Sequence, residues 1–128
     1  LTTILEKSLG AVAKGGTEEE IIEKIDIGGI SLIRGAAKNL NDVLIVSSRD
    51  QYSELLQLLE AKSGTTDLAD RKRFAAYAFD VTSHYDTAIF QYFNREQQLP
   101  RFKGSIQQAH TLRYGENPHQ QGVFFGDL

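Results

Sequence analysis

Apolar and polar positions along this chain fall into short helical patterns separated by sharp breaks. Leu1 to Val12 is mildly apolar and ends at Gly15-Gly16, a pair that interrupts whatever precedes it. Thr17-Glu18-Glu19-Glu20 has the layout of a capping box, in which the Thr17 hydroxyl accepts from the Glu20 amide and the Glu20 carboxylate reaches back. Acidic residues in that first turn also suit the positive end of a helix dipole, so the pattern predicts a short helix from Glu18 to about Lys24. Asp26 to Ile30 then reads as a loop. Ser31 reads as the cap of a second helix running to about Asn39, whose Gly35, Ala36 and Ala37 allow close packing.

Val43-Leu44-Ile45-Val46 is a continuous apolar run between Asp42 and Ser47, the pattern of a strand buried on both faces, as in a parallel sheet. Asp50 is placed to cap a helix whose Leu55, Leu58 and Leu59 form one stripe. Gly64-Thr65-Thr66-Asp67 reads as a turn opening onto a long helical stretch, Leu68 to Phe93, with Phe74, Ala78, Ala88, Ile89, Tyr92 and Phe93 facing inward. Val81-Thr82-Ser83 is its weakest part and predicts a kink. The basic cluster Arg71-Lys72-Arg73 reads as a solvated face, and Asn94 to Gly104, with Pro100 and several glutamines, as an exposed connection. Together these elements describe a helix-rich α/β chain with one inner strand. A single strand cannot satisfy its own ladder groups, so the sheet is expected to be incomplete here, its other strands lying upstream.

Composition narrows the class without naming a function. The 128 residues are one domain's worth of chain, and 41% hydrophobic with 24% charged content is ordinary for a water-soluble fold. A formal charge of −3 argues against broad nucleic-acid binding, which needs a basic surface. Without cysteine there is no disulfide and no thiolate chemistry, which fits the cytosol. No apolar run approaches the roughly 18 residues of a membrane span, and no charged-then-apolar leader is visible. Methionine is absent even at position 1, so the chain is expected to be a piece of a longer product or one with an unusual start.

Two stretches carry more chemistry than a core requires. Leu112-Arg113-Tyr114-Gly115-Glu116-Asn117-Pro118-His119-Gln120 combines a cation, a phenol, a turn and an imidazole. Arg113 offers a planar fork to a phosphate or carboxylate and Tyr114 an aromatic face to a heterocycle, although an ordinary polar turn has the same residue types. The other stretch runs Ile25-Asp26-Ile27-Gly28-Gly29-Ile30-Ser31-Leu32-Ile33-Arg34-Gly35-Ala36-Ala37-Lys38-Asn39. By residue type alone Asp26 is a turn residue and Lys38 a solvated helix residue. Their context adds something: Asp26 precedes a diglycine and a helix N-terminus, and Lys38 follows three small residues. His84 and His110 are isolated, and no two histidines have metal-ligand spacing.

Both stretches resemble signatures of one family, in that family's order. Leu112 to Gln120 is similar to the L-R-Y-G-x-N-P-H-Q signature of the bifunctional purine-biosynthesis family AICAR transformylase/IMP cyclohydrolase. Ile25 to Asn39 is similar to its I-D-I-G-G-x-x-x-x-R-A-A-A-K-N motif, and Ser83 to Ile89 also looks familial. The resemblance implies that residues 17–94 are the last part of a cyclohydrolase domain with a methylglyoxal-synthase-like α/β fold, that 95–128 lead into the transformylase region, and that 1–16 are atypical. It implies formyl transfer to AICAR with 10-formyltetrahydrofolate as co-substrate of the full-length parent, and ring closure of formyl-AICAR to IMP. No metal is implied, no folate is expected on this chain by itself, and the parent is expected to be a cytoplasmic homodimer.

Residue roles follow from the same resemblance. Asp26 and Lys38 match cyclohydrolase-site residues, with Asp26, Ile27 and Gly28 in the nucleotide-binding stretch; Arg113 and Tyr114 match residues that bind AICAR in the transformylase site. Asn117 and His119 are taken as structural supports. Asp26 and Lys38 are expected to approach one another at one pocket, with Arg113-Tyr114 far from Asp26. Three departures bear on activity. Residues 1–16 hold neither tyrosine nor proline, so the family's upstream asparagine-leucine-tyrosine-proline-phenylalanine segment is absent or altered. The phosphate-holding loops, the transformylase's catalytic histidine and the folate pocket are not in this sequence. Gly35 stands where alanine is usual, at a cost of about 0.5–1 kcal/mol of helix stability. The isolated chain is therefore expected to be inactive. The alternative from another class is a helical module that binds a partner through surfaces between Leu55 and Phe93.

Overall fold

Side-chain oxygens ahead of the first turn decide where most of the helices begin. The computed structural model describes residues 16–112 and 122–127. Helix α1, Glu18–Glu23, opens on the capping box its sequence spells, both reciprocal bonds between Thr17 and Glu20 measuring 3.2 Å. Helix α2, Gly28–Lys38, starts earlier than Ser31 would place it. Asp26 Oδ1 takes the Gly29 amide at 2.9 Å, so the diglycine is the first turn of the helix and not a loop. Ser31, displaced from the cap, donates back to the Ile27 carbonyl from inside the helix. Ile30, Ile33 and Ala37 make the buried stripe of α2, while a Cβ at Gly35 would meet nothing within 4 Å; close packing comes from Ala37 and not from Gly35.

Val43 to Val46 has no regular secondary structure and joins no strand among the described residues, where a doubly buried strand was expected. An apolar run becomes a strand only where a neighbour completes its ladder. Val43 is 36% exposed, Leu44, Ile45 and Val46 are half-buried, and Ile45 packs against the cluster formed by Ile33, Ala37, Ala75 and Ala78. A 3-10 turn, Arg49–Gln51, then leads into α3, Tyr52–Ala61. The 3-10 turn is capped by Ser48 and not by Asp50, because Ser48 has the extended backbone a cap needs and Asp50 is already inside the turn; α3 itself has no side-chain cap. Leu58 is buried, with Leu55 and Leu59 half-buried beside it.

Helix α4, Leu68–Gln97, is 30 residues long, roughly 45 Å at 1.5 Å per residue. A second capping box, Asp67 with Asp70, opens it, and Lys62 Nζ reaches both carboxylates at 2.7 and 2.6 Å. Its core face is Phe74, Ala75, Ala78, Thr82 and Tyr85. Helical structure continues through Val81-Thr82-Ser83, where the buried Thr82 hydroxyl donates to the Phe79 carbonyl at 3.4 Å. Phe93, expected to face inward, is 42% exposed because the tightly packed core of α4 ends near Tyr85. The basic cluster is not simply solvated: Arg71 donates to the Leu40 and Thr66 carbonyls, each at 2.8 Å, and Arg73 pairs with Glu54 on α3 at 2.7 Å.

Helix α2 lies against α4, and the two core clusters fall along that seam. After Gln98, whose φ of 51° turns the chain out of the helix, residues 99–104 are exposed yet tethered back to α4. Asn94 Oδ1 accepts the Leu99 amide at 2.8 Å, Gln91 donates to the Lys103 carbonyl at 2.8 Å, and His84 Nδ1 meets Ser105 Oγ at 2.9 Å. An antiparallel hairpin of β1, Ala109–Leu112, and β2, Gly122–Phe125, ends the described chain, with Ala109 facing Phe125 and Leu112 facing Gly122. The whole is a helix-rich chain with one small two-stranded sheet, consistent with part of an α/β domain. No helix among the described residues is long and apolar enough to cross a membrane.

Candidate functional site

Asp26 sits where α1 has ended and α2 has not begun, and its polar atoms are engaged in an uneven way. Its amide donates to the Tyr85 hydroxyl at 2.8 Å, a contact between residues 59 apart. Oδ1 is held by the Gly29 amide. Oδ2 is buried and has no hydrogen-bond partner among the described residues. A buried polar atom left unpaired costs about 1–3 kcal/mol, so this carboxylate is not arranged for stability alone. A Cβ at Gly28 would meet nothing within 4 Å.

Ile27 is the backbone cap of α2 and is 72% exposed, a costly place for so large an apolar side chain in water. Lys38 is the last residue of α2 and is exposed. The 11 residues of that helix put Lys38 roughly 15 Å from Gly28, so Asp26 and Lys38 occupy opposite ends of one element. No hydrogen bond or ion pair among the described residues joins them. The helix itself is the spacer, for a backbone that is helical from Gly28 cannot fold back between them. Lys38 instead stands at the negative end of the helix dipole, where an ammonium group is favourable.

Arg113 and Tyr114, with Asn117 and His119, lie outside the described residues. The hairpin does fix where that segment starts and stops: Leu112 and Gly122 are register partners, so the chain leaves β1 and enters β2 at adjacent points. His110 lies on β1 and is exposed. Among the described residues no group of three or more His, Cys, Asp and Glu side chains could hold a metal ion. A shallow groove of about 270 Å³ near the C-terminal end of α4 is lined by Phe90, Arg95, Arg101 and Lys103 among others, and by neither Asp26 nor Lys38.

Tyr85 is the contact that sequence reasoning missed. Its signal was available: Val81, Tyr85 and Ile89 recur at four-residue spacing, which places the phenol on the inward stripe of α4. Nothing local, however, says that its hydroxyl meets residue 26.

Residues 36–128 match the family model described as AICARFT/IMPCHase bienzyme. The chain is 55% identical over 117 residues to the bifunctional purine biosynthesis protein PurH of Bacteroides thetaiotaomicron, covering 91% of the chain and 23% of that protein. Against the protein of the same name from Rhodopirellula baltica it is 46% identical over 117 residues, covering 88% of the chain and 22% of the relative. Against that of Clostridioides difficile it is 43% identical over 119 residues, covering 91% and 23%. The chain thus spans less than a quarter of the length of these curated relatives.

Proposed function

Because this chain belongs to the AICARFT/IMPCHase bienzyme family, we propose that it supplies parts of two active sites to a protein making IMP. One site transfers a formyl group from 10-formyltetrahydrofolate to AICAR. The other closes formyl-AICAR to IMP and water. Ring closure requires the carboxamide nitrogen to attack the formyl carbon, giving a carbinolamine that loses water. Such a step needs a group to take the amide proton and a donor or cation for the developing oxyanion.

Asp26 takes the orienting or base role and Lys38 the proton-transfer or oxyanion role, with the nucleotide held along Asp26, Ile27 and Gly28. The single observation carrying this reading is the Asp26 carboxylate: one oxygen pinned by Gly29, the other desolvated and without a protein donor among the described residues. A carboxylate in that state is poised to accept from a ligand. With α2 between them, Asp26 and Lys38 serve different parts of the bound nucleotide and not one shared proton. Arg113 and Tyr114 hold AICAR in the transformylase site. The folate pocket is assigned to the rest of the parent, which we read as a cytoplasmic homodimer.

The fold belongs to the same reading. The described helices are the last third of a methylglyoxal-synthase-like domain whose upstream strands pair with residues 43–46. The apolar run there, half-buried from Leu44 to Val46 and in no strand among the described residues, supports this.

The test is made in the full-length protein. Asp26→Asn should lower ring closure about a hundredfold or more while sparing formyl transfer, and Arg113→Ala should do the reverse. Equal loss of both activities in either variant would refute the two-site assignment. A chain blind to AICAR and IMP by calorimetry, yet binding another protein tightly, would favour the helical interaction module instead.

A further inference from the structure

Ring closure by Asp26 and Lys38 leaves unused one buried polar group that touches the candidate aspartate. Tyr85 is 2% exposed, and its ring packs with Ile30, Val81 and Ile89. Phenylalanine would fill that cluster without desolvating a hydroxyl, so the oxygen is retained for something other than packing. What it does here is accept the Asp26 amide hydrogen at 2.8 Å. Ile30, in the first turn of α2, packs in the same cluster as Tyr85, and Gly29 of that turn holds Asp26 Oδ1. The backbone at 26, the carboxylate and the start of α2 are thereby locked to one rigid helix.

We propose that Tyr85 is a positioning residue for Asp26: its hydroxyl fixes the backbone of residue 26 so that the carboxylate meets the reacting nucleotide in one orientation. This deepens the proposed role of Asp26 and rests on it. Tyr85 does not touch the carboxylate, and it moves no proton in the reaction. Its effect passes through the amide and belongs to the geometry of attack, where small misplacements are costly.

Tyr85→Phe in the full-length protein removes the oxygen and keeps the ring. Ring closure should lose about tenfold to a hundredfold in kcat with KM little changed, while formyl transfer stays at its original rate. Amide exchange in the 25–30 segment should quicken while the rest of α4 keeps its protection. Ile30→Val, which thins the same cluster but keeps the hydrogen bond, should leave kcat for ring closure intact. If Tyr85→Phe cyclises normally while Asp26→Asn does not, positioning is overturned and the role of Asp26 stands. If Tyr85→Phe loses both activities equally, or Ile30→Val falls as far as Tyr85→Phe, Tyr85 is only a packing residue. If Asp26→Asn and Tyr85→Phe both cyclise normally, the reading of Asp26 has failed and this proposal falls with it.

Discussion

Asp26 and Asp67 stand in comparable places just ahead of a helix, and the chain treats their carboxylates differently. Each oxygen of Asp67 has a donor, the Asp70 amide at 2.8 Å on one and Lys62 Nζ at 2.7 Å on the other. Asp26 has one oxygen satisfied and one buried without a partner among the described residues. Asp67 is arranged to hold a helix; Asp26 is arranged to hold a helix and keep an oxygen in reserve. The Asp67 arrangement has a pH signature. The hydrogen bond from Lys62, followed by that from the Asp70 backbone, lowers the Asp67 carboxyl from 3.8 to about 2. A carboxyl depressed in the folded state stabilises above its unfolded value and loses that contribution as pH falls through about 2. Lys62 is raised above 10.5 by its bonds to Asp67 and Asp70, so its share is complete below that value and lost only in stronger alkali. Lys62→Met should therefore start the acid loss of helical circular dichroism at a higher pH than in the unsubstituted chain. Salt should narrow the gap, since both partners are open to water. Coincident acid limbs at low salt would show that the clamp is not linked to folding.

Helix α2 carries the candidate site on its N-terminal end, and its own stability has room for improvement. Gly35 lies exposed in the helix interior, and a Cβ there would meet nothing within 4 Å. Gly35→Ala should stabilise the chain by about 0.5–1 kcal/mol through lost freedom in the unfolded state, visible as a higher urea midpoint with an unchanged slope. A lower midpoint would mean that Gly35 meets something on its open side. The same helix shows what could be read from sequence and what could not. Thr17-Glu20 and Asp67-Asp70 announce α1 and α4, because a capping box is closed within four residues. Helix α2 had two competent caps in line, Asp26 and Ser31, and only the chain's path chooses between them. Val43 to Val46 shows an apolar run, but strand pairing depends on partners that local sequence does not contain. Tyr85 reaching Asp26 across 59 residues, and Arg71 reaching Leu40 across 31, are likewise products of packing that no local signal records. Strands β1 and β2 are short and mostly exposed, which removes the buried alternation that marks a strand.

At the scale of the whole molecule, α4 links the two signature motifs. It does so through consecutive residues, for Tyr85 holds the amide of Asp26 and His84 meets Ser105 on the segment leading to Leu112. Apolar surface is left open in this chain. Ile27 is 72%, Leu32 70% and Phe102 96% exposed, and the apolar run at 43–46 joins no strand among the described residues. Bare apolar side chains invite association. Under the proposed function, the remaining three-quarters or so of the parent covers these surfaces and supplies the loops that hold the nucleotide against Asp26 and Lys38. Without them, Asp26 and Lys38 act on a substrate that nothing orients, and the rate advantage of a fixed geometry is lost. The purified 128-residue chain should therefore self-associate as concentration rises in sedimentation velocity, bind a hydrophobic dye, and show no measurable ring closure or formyl transfer. A concentration-independent monomer that unfolds cooperatively and turns formyl-AICAR into IMP near the parent's rate would mean that these apolar surfaces and the two ends of α2 suffice on their own.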